Sequence, residues 1–441
     1  MSMEELDRIR KKGCPCGKTH NLSVDRIVVG SGVIKQLPQI IKDYRAEKAF
    51  VLSDKNTYQA AGGDVCEILK DKGIAFTSFS FDNGDLEPDE QNVGLAAMHL
   101  DNSCNIIIGV GSGVINDIGK ILSAISGKPY IIVATAPSMD GYASATSSMT
   151  REGLKISLPT RSADVIVGDT DILCQAPLKL MKSGLGDMLA KYVSICEWRI
   201  SHLITGEYYC EEIAALVRAA LKQCIELAPG LLRRDEAAVA AVFRGLVICG
   251  AAMSYAGLSR PASGVEHYIS HVWDMRGAAF GTPTELHGIQ CAVGTLIAVR
   301  LYEKMKQMTP DREKALTYVK NFDLSVWNGK LLSFLGEGAQ CMIILEQKEQ
   351  KYSVQKHRER LEIILKNWDA LLNIIAEELP SSQEIEALLD SIGAPKSMED
   401  IGLDSELLPM TFKTTKDIRD KYVLSRLAWD IGVLEELITE P

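Results

Sequence analysis

Only seven histidines occur in the chain, and three of them fall between residues 267 and 287. In Glu266-His267-Tyr268-Ile269-Ser270-His271 two imidazoles stand four residues apart, which puts them on one face of a helix. His287 follows in Pro-Thr-Glu-Leu-His287-Gly, near the expected start of the next helix. Upstream, Ser183-Gly-Leu-Gly-Asp187-Met-Leu-Ala-Lys191 sets an aspartate where the first long helix of the C-terminal half begins. One carboxylate oxygen and two imidazole nitrogens with an open fourth position form the ligand set of a catalytic divalent metal. A structural zinc site would instead be closed and cysteine-rich. The other reading has these histidines capping helices and pairing with nearby carboxylates. The spacing of His267 and His271 matches the zincin pattern His-Glu-x-x-His, but Tyr268 stands where that pattern needs glutamate, which argues against a peptidase.

A second group of residues suits phosphate. Gly109-Val-Gly111-Ser112-Gly113-Val114-Ile-Asn116-Asp117-Ile-Gly-Lys120 closes an apolar run and opens a helical pattern. Glycines there let the backbone turn sharply and approach a ligand, and the first amides and dipole of the helix favour an anion. A tight strand–helix turn uses the same glycines, and the spacing is not the usual Gly-x-Gly-x-x-Gly. Asp54, at the end of an earlier strand, offers a carboxylate that accepts from an adenosine ribose and repels a 2′-phosphate; on its own such a residue is more often a helix cap or turn residue. Together the loop and Asp54 favour a nicotinamide dinucleotide. Thr135, Ser138 and Ser144 offer hydroxyls and Asp140 a carboxylate just beyond the next strand, or serve a local turn. Cys14-Pro-Cys16-Gly-Lys-Thr-His20 looks metal-like but lacks a second pair of ligands nearby, and it reads as a structured turn.

These residues need a frame. Residues 49–54, 77–82, 105–110 and 129–138 read as strands, and 64–72, 86–100 and 114–126 as helices between them. This βαβ alternation predicts a doubly wound, Rossmann-like α/β domain over 1–178 that binds a dinucleotide. Residues 154–160 and 163–169 read as two further strands, as a possible hairpin. From residue 179 to 441 the period is helical, giving an all-α domain that holds metal and substrate. Its helix candidates are 208–228, 235–256, 264–273, 285–305, 311–321, 345–378 and 416–438.

Composition limits the function classes. Of 441 residues 46% are hydrophobic and 24% charged, the proportions of a folded globular chain. The net charge of −10 argues against nucleic acid or an anionic membrane as a general partner. No apolar run reads as long enough to span a bilayer, and the N-terminus lacks a secretion signal, so a cytoplasmic location is expected. The eleven cysteines then stay reduced, with Cys196, Cys210, Cys224 and Cys249 as small core residues.

Five motifs in order, GVGSGVINDIGK, VATAPSMDGYAS, SGLGDMLAK, RPASGVEHYISH and ELHG, make the chain resemble the bacterial branch of the glycerol-1-phosphate dehydrogenase family, within the dehydroquinate synthase-like and iron-containing alcohol dehydrogenase proteins. The resemblance runs from about residue 20 to DIRDKYVLSRLAWDIG, and residues 330–395 are its least diagnostic part. It implies NAD(P)-dependent interconversion of sn-glycerol 1-phosphate and dihydroxyacetone phosphate. It also implies one divalent ion, Zn2+ or Ni2+, on Asp187, His267 and His287. Substrate contacts fall on Asp140, Asp187 and His271, with Asp187 and His271 the catalytic pair. Dinucleotide contacts fall on Asp54, Gly111, Ser112, Gly113, Val114, Asn116, Asp117, Thr135, Ser138 and Ser144. The loop departs from the Gly-Gly-Gly-Ser run of related alcohol dehydrogenases. Lys155, Lys191 and Arg260 are candidates for the substrate phosphate by sequence neighbourhood only, and each also reads as a structural or surface cation. A homodimer is the expected assembly.

Three other readings remain at this point. Dehydroquinate synthase shares the architecture, but its members usually carry Glu where this chain has Asp187. A glycerol or other polyol dehydrogenase would act on an unphosphorylated substrate. A non-catalytic metal- or nucleotide-binding protein would use the helical half as an interaction surface.

Overall fold

The computed structural model describes residues 13–82, 86–151 and 154–439. The described residues form two compact units, one within 13–188 together with 212–258, the other of 189–211 with 259–439. The boundary expected at 178 marks where strands give way to helices. The compact units do not follow it, because helix Glu236–Ala256 packs within the first unit. The expectation that no apolar stretch is long enough for a bilayer is also corrected. This helix qualifies by length and composition, and 78% of its apolar window is buried inside the protein. A helix apolar on all sides belongs in a core. Its Phe243 ring lies against Tyr142, with centroids 5.2 Å apart, and occupies the space a side chain at Gly168 would need.

The first unit is built on strands β1 (Arg26–Gly30), β2 (Lys48–Asp54), β3 (Ala75–Phe81), β4 (Ile106–Gly111), β5 (Tyr130–Ala134) and β8 (Val165–Asp169). They form one six-stranded sheet in the order β1-β8-β5-β4-β2-β3, with every neighbouring pair parallel. The central strands β4 and β5 are buried throughout, which is why they read as unbroken apolar runs. Ile106, Ile108, Val110, Ile131, Val133, Val165 and Val167 form a core with Leu37, Ile40, Val65 and Leu69 from the covering helices. The doubly wound α/β expectation holds. The hairpin does not. Strand β7 (Leu154–Pro159) pairs antiparallel with β6 (Thr146–Arg151), whereas β8 enters the main sheet between β1 and β5.

The chain steps outward from β2 to β3 and then returns to lay β4 on the other side of β2. That reversal creates a switch point, where the loops at the carboxyl ends of two adjacent strands part and leave a crevice. Leu52 of β2 is level with Gly109 of β4, so continuing the register sets Asp54 level with Gly111.

The second unit is helical. Val265–Phe280 and His287–Met305 pack on each other through Ile269, Trp273, Ile289 and Val293. A larger core gathers Val193, Tyr268, Tyr302, Phe412, Leu427 and Trp429. The single helix expected over 345–378 is three, Ala339–Glu349, Val354–Lys366 and Trp368–Glu378. The one expected over 416–438 is likewise divided among shorter helices ending at Leu434–Thr439.

Candidate active site

In the first unit the glycine loop does what its position at the end of β4 requires. Helix Gly113–Ser126 starts immediately after Ser112, and its first amides have no intrahelical acceptor. The glycines divide the work. Gly109 and Gly119 leave room for the Tyr130 ring, and Gly111 leaves room for Ile115. A Cβ on Gly113 would meet nothing nearer than Met139 Cγ at 3.5 Å, so packing does not demand this glycine and its backbone is open to approach. Ser112 and Ser138 share a short hydroxyl contact, and the Tyr142 hydroxyl donates to the Ala136 carbonyl at 2.7 Å and reaches Ser112 at 3.3 Å. Asn116 donates to the Gly141 carbonyl at 3.1 Å, while its buried Oδ1 has no partner. Such an orphaned acceptor, beside an approachable backbone at a helix N-terminus, fits a bound dinucleotide. Asp117 pairs with buried Lys120 at 2.9 Å. The Thr135 amide donates to the Gly111 carbonyl at 3.1 Å, and Ser144 hydrogen-bonds Thr146 at 2.9 Å. Asp54 caps the next helix, its Oδ1 accepting from the Thr57 amide at 2.8 Å. The cap takes one oxygen and leaves the negative charge at the switch point.

The loop after β5 is docked on helix Leu178–Thr205 by consecutive features of Ser183-Gly-Leu-Gly-Asp187. The Ser183 hydroxyl donates to the Ser138 carbonyl at 3.0 Å. At Gly184 a side chain would collide with the Pro137 carbonyl. The Asp140 amide donates to Asp187 Oδ2 at 2.9 Å, and Asp187 is fully buried. The structure thus brings together Ser112, Asn116, Ser138, Asp140 and Asp187 in one unit.

In the second unit three imidazoles meet. The His267 and His287 ring centroids are 5.0 Å apart, those of His271 and His287 6.1 Å, and those of His267 and His271 6.5 Å. Helical spacing sets His267 and His271 on one face, and Gly294 allows the two helices to close, since a Cβ there would lie 2.8 Å from the Glu266 carbonyl oxygen. Glu266, fully buried, accepts from the Gly264 amide at 2.7 Å and from His267 Nδ1 at 2.8 Å. A carboxylate can only accept, so the proton sits on Nδ1 and the lone pair on Nε2, as a metal-binding histidine needs. His287 Nδ1 lies 3.3 Å from the Ser270 hydroxyl, which itself donates to Gln290 at 2.7 Å. Cys291, one turn after His287, brings a thiol whose Sγ lies within 4.8 Å of ligand atoms on His267 and His287. Burial raises the pKa of that thiol, but its electrostatic and hydrogen-bonding interactions with His267 and His287 together outweigh burial and lower it. Two locked imidazoles with a thiol beside them fit a divalent transition metal. Glu197, which accepts from the Val265 and Leu424 amides, has its carboxyl pushed up by burial and by the charge of Glu266.

Three candidates for the substrate phosphate fare differently. Arg260 takes the structural alternative: it is 1% exposed, and its guanidinium donates to Glu207 at 2.9 Å, to Ser201 at 3.1 Å and to the Tyr422 carbonyl at 2.9 Å. Lys191, also buried, donates to the Ala262 carbonyl at 3.0 Å. The Lys155 side chain lies outside the described part of the chain. The Glu266 carboxylate bonded to His267 and the Cys291 thiol beside the two imidazoles are not among the sequence-predicted site residues. Their signals were Glu immediately before a candidate ligand and Cys four residues after one.

A family model described as iron-containing alcohol dehydrogenase matches residues 28–177. The chain is 29% identical over 415 residues, covering 93% of itself and 94% of the relative, to a glycerol-1-phosphate dehydrogenase (NAD(P)+) of Halalkalibacterium halodurans. It is 31% identical to one of Bacillus velezensis (67% of this chain, 77% of the relative). With one of Methanothrix thermoacetophila it shares 34% identity over 63% of this chain and 77% of the relative. Among solved structures it is similar in fold to maleylacetate reductase from Rhizobium sp. (TM-score 0.62, 15% identity, 96% of this chain and 99% of that one). It is also similar to an iron-containing alcohol dehydrogenase from Thermococcus thioreducens (TM-score 0.59, 16% identity, 96% and 100%).

Proposed function

We propose that this chain, which belongs to the glycerol-1-phosphate dehydrogenase family, is a metal-dependent NAD(P)H oxidoreductase that interconverts dihydroxyacetone phosphate and sn-glycerol 1-phosphate. Asp187, His267 and His287 would hold one divalent ion, Zn2+ or Ni2+. When bound, the ion supplies Lewis-acid polarisation of the substrate's C2 carbonyl, and the reduced nicotinamide supplies the hydride. The amides of Gly113 and Val114 and the hydroxyls of Ser112 and Ser138 bind the cofactor's pyrophosphate. Thr135, Ser144, Asn116 and Asp117 line its path, and the Asp54 charge favours NADH over NADPH. Asp140, held by its amide, and His271, one helical turn from His267, orient the substrate hydroxyls. His271 passes a proton to the C2 oxygen as the alcohol forms.

The observation that carries this reading is the His267–His287 pair with Glu266 fixing the first ring's tautomer. Replacing His267 or His287 with Ala should remove the ion from this site and abolish turnover. A metal-free variant with normal kcat would overturn the reading. NADH oxidation with dihydroxyacetone phosphate, compared with dihydroxyacetone, separates it from a polyol dehydrogenase, and chiral analysis of the product identifies the enantiomer. Eleven cysteines with no disulfide among them suit a reducing compartment such as the cytoplasm.

A further inference from the structure

The segment Gly13-Cys14-Pro15-Cys16-Gly17-Lys18-Thr19-His20 plays no part in the chemistry above, yet its side chains converge. In an extended chain, residues 14 and 16 are separated by two full residue steps and residue 20 lies far beyond both. Here the Gly17 amide donates to the Cys14 carbonyl at 3.0 Å, closing a turn in which Gly17 takes a left-handed φ of 78° that its lack of a side chain permits. The result is that the Sγ atoms of Cys14 and Cys16 and a ring nitrogen of His20 all lie within 4.8 Å of one another. A structured turn explains the backbone bond. It does not require the imidazole to arrive.

His20 is 1% exposed, and its Nδ1 lies 3.0 Å from the Tyr255 carbonyl, with the Tyr255 ring 5.9 Å away. A carbonyl only accepts, so Nδ1 carries the proton and the Nε2 lone pair points at the thiols, where Cys16 Sγ is 3.4 Å distant. Tetrahedral zinc, with bonds of about 2.3 Å to sulfur and about 2.0 Å to nitrogen, sets neighbouring S and N ligand atoms roughly 3.5 Å apart. The geometry points to a second metal site: we propose that Cys14, Cys16 and His20 hold a structural zinc-class ion, independent of the ion at His267 and His287. Two thiolates and an imidazole select a borderline-soft cation and reject Mg2+ and Ca2+. The second-sphere bond to Tyr255, at the last turn of helix Glu236–Ala256, orients the ring as such sites need. Binding therefore fastens the segment ahead of β1 to the core of the first unit, and the free energy of binding adds to that of folding. A fourth donor completes the tetrahedron, and replacing the remaining cysteines one at a time identifies it.

The test uses the full chain, stripped with a chelator and reloaded with Zn2+, with metal counted by mass spectrometry. Wild type should retain two equivalents. Cys16→Ser and His20→Ala should each lose one, and His267→Ala should lose the other while keeping this one. With Co2+ in place of Zn2+, a near-ultraviolet thiolate charge-transfer band should vanish in Cys14→Ser and Cys16→Ser and survive in Cys291→Ser. Wild type alone provides a check that no folding defect can cloud: Zn2+ should slow iodoacetamide labelling of Cys14 and Cys16 about tenfold or more, because coordinated thiolate does not attack. A single equivalent that disappears with His267→Ala, or equal labelling with and without Zn2+, overturns the proposal. Two equivalents persisting in His267→Ala would leave this site standing and refute the catalytic one instead.

Discussion

Gly184→Ala is the substitution through which the docked loop can be tested most sharply. A Cβ at this position would lie 2.8 Å from the carbonyl carbon of Pro137, with its oxygen closer still, and 3.0 Å from Leu246 Cδ1. Ordinary contact begins near 3.4 Å, so the carbonyl must retreat by at least 3.4 − 2.8 = 0.6 Å at its carbon and by more at its oxygen. The Pro137 atoms met belong to backbone and cannot swing aside, so the cost sits at the upper end of the usual overpacking range, about 3 kcal/mol, and alanine's better helix propensity returns about 1 kcal/mol, leaving a net loss of roughly 2 kcal/mol. A loss of that size lowers the melting temperature and still leaves a folded variant to assay. The retreating loop carries the Ser138 carbonyl and the Asp140 amide, which hold Ser183 and Asp187. Misplacement on the scale of 1 Å costs about a hundredfold in rate, so kcat should fall far more than stability does. Thermal unfolding and steady-state NADH oxidation with dihydroxyacetone phosphate measure the two quantities separately. A kcat within about threefold of wild type, with the melting temperature lowered as expected, would refute the idea that this contact sets the site geometry.

Gly113→Ala has room within the protein, so its stability should match wild type within about 0.5 kcal/mol while the Kd for NADH, measured by fluorescence titration, rises; unchanged affinity would mean that the cofactor does not approach this backbone. Glu266→Gln should weaken metal binding by about 10–100-fold by releasing the His267 tautomer, readable as a shifted competition curve against a chelator; an unshifted curve would remove Glu266 from the site. Glu346 is 1% exposed, and burial, reinforced by Asp417 and only partly opposed by Asn328 and the nearby Lys416 and Lys351, pushes its pKa from 4.5 up to about 7. Below the lower value both states hold the proton; as pH rises from there towards 7 only the unfolded chain releases it, so stability falls by up to about 3 kcal/mol and then levels off. Glu346→Gln should lack that decline in denaturant titrations at successive pH values, and parallel curves for the two proteins would contradict it.

How much of this is readable without coordinates depends on burial. β2, β4 and β5 announce themselves because parallel strands covered on both faces carry unbroken apolar runs. β1 is an edge strand with no fully buried residue, and β6 is Thr-Ser-Ser-Met-Thr-Arg, so neither has an apolar run to reveal it. With no apolar run to mark β6, the next visible strand, β8, stands as the possible hairpin partner of β7. The stretch 345–378 has a continuous helical period, but Gln350 in a left-handed conformation and the Ser353 cap interrupt it. At the site, residue types and spacing point to His267 and His271 because the helical repeat sets them on one face, whereas His287 begins the next helix and reaches them only through helix packing. Arg260 could not be sorted that way: its acceptors, Glu207, Ser201 and Tyr422, are remote in sequence, and only tertiary packing shows that its donors are engaged.

The Tyr130 ring, fully buried against Gly109 and Gly119, ties the nucleotide loop to a position in the following strand. Neither glycine can gain a side chain while the phenol occupies that volume, and trimming the phenol alone opens a hole beneath the loop. The three positions therefore form an epistatic trio that descendants must inherit or replace as a block. A library that randomises the loop to change coenzyme preference while keeping Tyr130 fixed will discard nearly every variant at these two glycines for steric reasons unrelated to coenzyme choice.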